Sequence, residues 1–143
     1  MTDATKAYEK LGSFYMGRVL DENGDNTPEP VLYDSKDLTT HAVIIGMTGS
    51  GKTGLGIGML EEAAIDNIPV IAIDPKGDMG NMLLTFPEMR GDDLEPWVDP
   101  QTAANKGLTA AQFADKQAKL WKSGLADWDQ PLDRVKKLKD SAE

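Results

Sequence analysis

Cysteine is absent from the 143 residues, which excludes both a disulfide framework and a thiolate metal site. No apolar run approaches the length of a membrane span, and Met1–Lys10 is polar, without the hydrophobic stretch of a signal peptide. A cytoplasmic location with no membrane partner is the default expectation. Histidine occurs once. His41 has no partner at metal-ligand spacing and reads as the start of a strand. Positive charge is also scarce: 15 basic residues stand against 24 acidic ones, a net charge of −9. That balance opposes a chain that coats nucleic acid by itself, because neutralising phosphates needs a basic face. Most of the acid reads as solvated surface. The length suits one modest domain.

Against these absences stands one dense motif. Gly46-Met47-Thr48-Gly49-Ser50-Gly51-Lys52-Thr53 has the form G-x-x-x-x-G-K-[ST] of a phosphate-binding loop. Each part has its own physical task. Glycines let the backbone curl so that successive N–H groups point at phosphate oxygens, Lys52 brings positive charge to the β- and γ-phosphates, and the Thr53 hydroxyl is placed to ligate Mg²⁺. Such a loop must lie between a strand and a helix, whose N-terminal N–H groups and dipole add to anion binding. The context is present. His41-Ala42-Val43-Ile44-Ile45 reads as a buried strand, and Leu55, Ile57, Met59, Leu60, Ala63, Ala64 and Ile65 mark a helix ending near Asp66-Asn67. Nucleotide phosphate binding is the expectation, with Gly46 through Gly54 as the binding residues.

A second pattern overlaps the first. Gly49-Ser50-Gly51-Lys52-Thr53-Gly54 fits G-x-G-x-x-G, and Asp74 follows Gly54 by 74 − 54 = 20 residues, near where a dinucleotide-binding fold places its ribose acid. In that fold, however, the first glycine leaves the strand directly, and here Gly46 does so. The Lys-Thr pair also suits polyphosphate and Mg²⁺ better than a pyrophosphate diester. Gly54, Gly56 and Gly58 inside the helix each cost about 1 kcal/mol relative to alanine. Close approach of the helix to a sheet is the expected compensation, and Gly54-x-x-x-Gly58 is no sign of a membrane dimer.

Elsewhere, Thr5–Leu11 suggests a short helix. Ser13–Leu20 and Val31–Tyr33 suggest a hairpin turning at Asn23-Gly24, with Gly17 weakening the first strand or marking a bulge. Residues 1–34 are expected to form a helix-and-hairpin module leading into a nucleotide core over 35–143. Pro69-Val70-Ile71-Ala72-Ile73 reads as a second buried strand ending at Asp74. Asp74 reads either as an acid facing the nucleotide crevice or as a cap of the turn through Pro75 and Gly77. Lys76 and Asp78 are phosphate-contacting residues or solvated loop charges. Met79–Phe86 is expected as a short helix and Glu88–Pro100 as an ordered loop. Beyond, Thr109-Ala110-Ala111-Gln112 is a capping box opening a helix through Trp128, and Pro131 suits the first turn of another with Asp129 as its cap. Trp97, Trp121 and Trp128 read as core or interface residues, and Arg134, Lys136, Lys137 and Lys139 as a helix's wet face.

Leu32-Tyr33-Asp34-Ser35-Lys36-Asp37-Leu38-Thr39-Thr40-His41, the glycine loop, and Ile73-Asp74-Pro75-Lys76-Gly77-Asp78 together closely resemble bacterial HerA-like ATP-binding proteins of the HerA/FtsK branch of P-loop ATPases. The resemblance extends through Leu83-Leu84-Thr85-Phe86-Pro87 and Pro96-Trp97-Val98. It implies an α/β, RecA-like P-loop NTPase core, ATP and Mg²⁺ as cofactors, a hexameric homo-oligomer and coupling of hydrolysis to DNA movement. It also implies that Asp74, with Lys52, belongs to the catalytic site. The chain departs from the family in length. No strand with a water-activating glutamate is found, and Arg18, Arg90 and Arg134 lie outside any finger motif, so the parts that phosphoryl transfer needs are missing. The expectation is therefore an N-terminal fragment of a larger ATPase, or a truncated reading frame: a partial RecA-like fold behind a small β-hairpin, with a helical C-terminal part, that binds nucleotide without efficient hydrolysis. DNA would be held by regions absent here. A non-catalytic nucleotide-binding or assembly module is the alternative. In a RecA-like sheet the two strands present are not neighbours, so they must either pair directly or leave exposed edges. Marginal stability follows.

Overall fold

A computed structural model of the chain describes residues 10–77, 79–128 and 130–142. Most of the helix expected over Thr5–Leu11, together with Asp78 and the cap expected at Asp129, lies outside these. The described residues fall into two compact units, within residues 10–84 and 85–141.

The first unit opens with strands β1 (Ser13–Leu20) and β2 (Asn26–Asp34), paired antiparallel from Ser13 opposite Asp34 to Leu20 opposite Asn26. The expected hairpin is present. Its turn is longer than a two-residue loop because Asp21 organises it: the carboxylate accepts from Asn23 N at 2.8 Å and Asp25 N at 2.9 Å, and Gly24 takes a φ of +85°. Those backbone donors hold the Asp21 carboxyl below its ordinary range. The register slips between Tyr15 and Gly17, where Gly17 has φ +138°, so the bulge read from Gly17 is real. A 3₁₀ turn over Ser35–Thr39 follows, capped by Asp34.

Helix α1 (Lys52–Ile65) starts and stops where the sequence places it. The segments on either side do not behave as expected. His41–Ile45 and Pro69–Ile73 form no strand; among the described residues β1–β2 is the only ladder. A strand exists only with a hydrogen-bonded neighbour, and neither segment has one. The direct pairing of these two segments, one of the two outcomes foreseen, is not formed, and neither segment presents a strand edge. Several of their apolar residues are left exposed: Ile45 is 87% exposed, Ile71 93% and Ile73 86%.

The glycines of α1 also differ from expectation. A Cβ built on Gly54 or Gly58 meets nothing within 4 Å, and one on Gly56 only touches Ile44 Cδ1 at 3.9 Å. Close helix–sheet contact does not offset their conformational penalty here. Gly58→Ala is therefore expected to raise stability by up to about 1 kcal/mol, read as a higher midpoint in urea unfolding. A lower midpoint would mean that the open side of α1 is covered in solution.

The second unit is helical. The loop expected over Glu88–Pro100 instead contains α2 (Gly91–Leu94) and a 3₁₀ turn, Glu95–Trp97. Next come α3 (Pro100–Asn105), capped by the Asp99 carboxylate, and α4 (Ala110–Asp127), opened by the foreseen capping box. Last is α5 (Leu132–Ala142), beginning just after Pro131. At the end of the first unit, the helix expected over Met79–Phe86 reduces to a 3₁₀ turn at Gly80–Leu83. The buried apolar residues of the second unit are small: Ala103, Ala114 and Ala118, with Leu138. Small side chains permit close contact between helices, and Gly91 shows how close. A Cβ there would lie 2.9 Å from Asp115 Cγ and 3.1 Å from its Cα. Trp97 and Trp121 are not core residues, being more than half exposed. Arg134 is buried, not on a wet face, and donates to Gln130 Oε1 at 2.8 Å.

Two aspartates of this unit sit below their ordinary pKa. Asp99 is lowered first by the Thr102 side chain and then by the Gln101 and Thr102 backbone donors; Asp93 is lowered by its hydrogen bond from Arg90. A depressed carboxylate adds stability above the unfolded-state pKa, and that contribution disappears as pH falls through the folded value. Helical signal in circular dichroism is thus expected to hold from neutral pH and to fall below about pH 4. Asp99→Asn should flatten that acid limb. No helix among the described residues is long and apolar enough to cross a membrane.

Candidate functional site

The glycine loop is built as its composition requires. Gly49 has φ +81° and Gly51 φ +86°, left-handed values that disfavour any side chain. Gly46 is needed for space: a Cβ there would lie 2.5 Å from Ser50 Oγ and 3.4 Å from Lys52 Cγ. Met47–Ser50 closes as a turn through Ser50 N to Met47 O at 3.2 Å. The Lys52 ammonium donates to the Met47 carbonyl, which folds the cation over the loop.

Helix α1 starts directly out of this turn. Gly51 is its N-cap, no side chain caps its first N–H groups, and its first turn carries no acid. An uncapped helix start with the positive end of its dipole exposed, beside a lysine, has the donors and charge that favour an anion. Met47, Thr48, Gly49, Ser50, Gly51, Thr53 and Gly54 are all solvent-exposed, and Lys52 is half-buried. The loop therefore brings together Gly46 through Gly54 as one continuous surface.

Asp74 directly follows the Pro69–Ile73 segment. Its Oδ1 accepts from Gly77 N and its Oδ2 from Met79 N, each at 2.9 Å, with Gly77 at φ +76°. The turn-capping arrangement weighed for it is thus formed. Met79 reaches an apolar cavity of about 510 Å³, which is also lined by Phe14, Leu38, Gly56, Leu60 and Val70. Asp74 thereby fixes a loop that borders α1. Among the described residues, no group of three or more His, Asp or Glu side chains is placed to hold a metal ion.

Two residues that sequence reasoning passed over lie at the far end of α1. Glu62 is only 6% exposed, and its Oε2 accepts from Tyr15 N at 2.9 Å. Asp66 Oδ2 accepts from Gly12 N at 2.7 Å. The signal was their spacing: four residues apart, two acids share one helical face, here turned towards β1.

The type 4 coupling protein DotL of Legionella pneumophila subsp. pneumophila (strain Philadelphia 1) is 34% identical over 76 residues, which is 50% of this chain and 10% of DotL. The chain thus spans about a tenth of that relative's length. No solved structure matches it. The sequence model described as "Helicase HerA, central domain" matches residues 14–122, which takes in the hairpin, the glycine loop, Asp74 and most of α4. The chain belongs to the HerA helicase central-domain family.

Proposed function

We propose that this chain binds ATP with Mg²⁺ through Gly46–Gly54, as the nucleotide-holding part of a translocase-type ATPase. The carrying observation is the loop itself. Two left-handed glycines, an uncapped helix start and a lysine folded over the turn make a cradle whose donors suit a polyphosphate. In this reading the backbone N–H groups of the loop hold phosphate oxygens, Lys52 neutralises the β- and γ-phosphates, and Thr53 is the protein's ligand to Mg²⁺. The metal would spread the charge of the terminal phosphates. Asp74 is assigned to the same site through its loop.

Hydrolysis is a separate matter. These 143 residues contain no apolar strand ending in an acid pair and no arginine in a finger motif. The chain is therefore proposed to hold nucleotide with little turnover by itself. Family membership and the likeness to a coupling protein support placing that nucleotide in a motor. Oligomerisation as a hexamer, action on DNA and a cytoplasmic location belong to this proposal for the whole protein.

The test is calorimetric titration of the chain with MgATP and with ADP, with phosphate release followed in parallel. Saturable binding of both nucleotides with little release is the expected result. No binding up to millimolar MgATP would overturn the assignment. Rapid turnover would overturn the division between holding and hydrolysing.

A further inference from the structure

Helix α1 carries the candidate nucleotide site at its first turn, so whatever fixes the helix fixes the site. In a complete α/β sheet the flanking strands would do this. Here residues 41–47 and 68–74 form no ladder, and α1 packs more extensively on β1 than on any other element. The contact has a polar anchor at each of two levels: Tyr15 N to Glu62 Oε2 at 2.9 Å and Gly12 N to Asp66 Oδ2 at 2.7 Å. The only ladder partner of β1 among the described residues is β2, so donors on its other edge need acceptors from elsewhere. Two carboxylates on one helical face supply them. Hydrogen bonds to a charged acceptor are stronger than neutral ones, and that of Glu62 is largely shielded from water.

We infer that Glu62, supported by Asp66, is a positioning residue of the nucleotide site: it ties the phosphate-binding helix to the β-hairpin, so that nucleotide occupancy and hairpin docking are thermodynamically linked. The inference rests on the nucleotide-binding reading above. Its physical basis is helix rigidity. The 14 residues of α1 span about 21 Å as one hydrogen-bonded rod, and its two ends move together. A phosphate cradle works only when its donors are held within a fraction of an ångström, and a helix anchored at its far end is one that holds them. Linkage is reciprocal: if the anchor favours binding, bound nucleotide must favour the anchor.

Two measurements on the 143-residue chain test this. The first is the MgATP dissociation constant of wild type, Glu62→Ala and Glu62→Gln, at a temperature where circular dichroism shows each one folded. Glu62→Ala is expected to weaken binding by about tenfold, the effect of losing one charge-assisted hydrogen bond. Glu62→Gln, whose amide oxygen still accepts from Tyr15, should remain within about threefold of wild type. A role in stability alone would lower the melting temperature of Glu62→Ala and leave its affinity unchanged; that result overturns the inference. The second measurement needs no Glu62 variant and decides the matter if Glu62→Ala does not fold. Saturating MgATP should slow amide hydrogen exchange at Gly12 and Tyr15 of the wild type several-fold, and Lys52→Ala should shift that slowing to MgATP concentrations about 10- to 150-fold higher. Unchanged exchange under saturation overturns the linkage while leaving nucleotide binding intact. A wild-type chain that binds no MgATP overturns both.

Discussion

Lys52→Ala is expected to weaken MgATP binding by about 10- to 150-fold, equivalent to the roughly 1.5–3 kcal/mol of a hydrogen bond to a charged group. The loop's remaining donors are backbone N–H groups, which the substitution leaves in place, so binding should be weakened and not erased. Alanine is the best helix former, and Lys52 is the first residue of α1. The fold should be unchanged, and the helical spectrum of the variant should overlay that of wild type. What is lost is the cation folded over the turn, now hydrogen-bonded to the Met47 carbonyl. Exchanging that carbonyl for phosphate oxygens replaces a neutral acceptor with charged ones, which is why the lysine adds affinity. ADP should lose less affinity than ATP, because only the β-phosphate remains for the ammonium to meet. Equal affinity of wild type and Lys52→Ala for MgATP would mean that the nucleotide sits elsewhere.

What the sequence made legible follows a physical division. Local features were readable: the left-handed glycines of the loop, the start and stop of α1, the capping box at Thr109 and the hairpin with its bulge at Gly17. Each depends on a few neighbouring residues and on backbone sterics. Features that need a distant partner were not. Val43–Ile45 and Val70–Ile73 have the β-branched character of buried strands, but composition reports a preference for burial and cannot supply the neighbour that pairing needs. The helices α2 and α3, of 4 and 6 residues, are too short to show a 3.6-residue period. Arg134 and Glu62 look like surface charges by type, and only tertiary packing reveals them as buried. Asp74 is the mixed case. Its turn through Gly77 was readable from the sequence, whereas the reach of that turn to Met79 and the cavity beside α1 was not.

Phe14→Ala and Ile71→Ala are expected to separate sharply in stability, even though both replace large apolar residues by alanine. Phe14 is 2% exposed and is the largest fully buried side chain among the described residues. It faces the cavity bordered by α1 and the 3₁₀ turn over Ser35–Thr39, so truncation enlarges a void that is already present. The expected loss is about 3–5 kcal/mol, a large fraction of the roughly 5–15 kcal/mol available to a small domain. Ile71, 93% exposed, touches too little to lose, and its replacement should fall within about 0.5 kcal/mol of wild type. Chemical denaturation of both variants at low protein concentration checks the contrast. An Ile71→Ala penalty of several kcal/mol would show that the segment is covered in solution. Raising the protein concentration would then identify the cover: a penalty that grows with concentration requires a second copy, because only association responds to mass action. If the contrast holds at every concentration, the first unit owes little of its stability to the Ile71 side chain, and the part of that segment that packs is Val70, which lines the cavity beside α1. The polar support of the candidate phosphate cradle then lies at the distal end of its helix, where Glu62 holds β1 through Tyr15 and Asp66 holds Gly12 just before that strand.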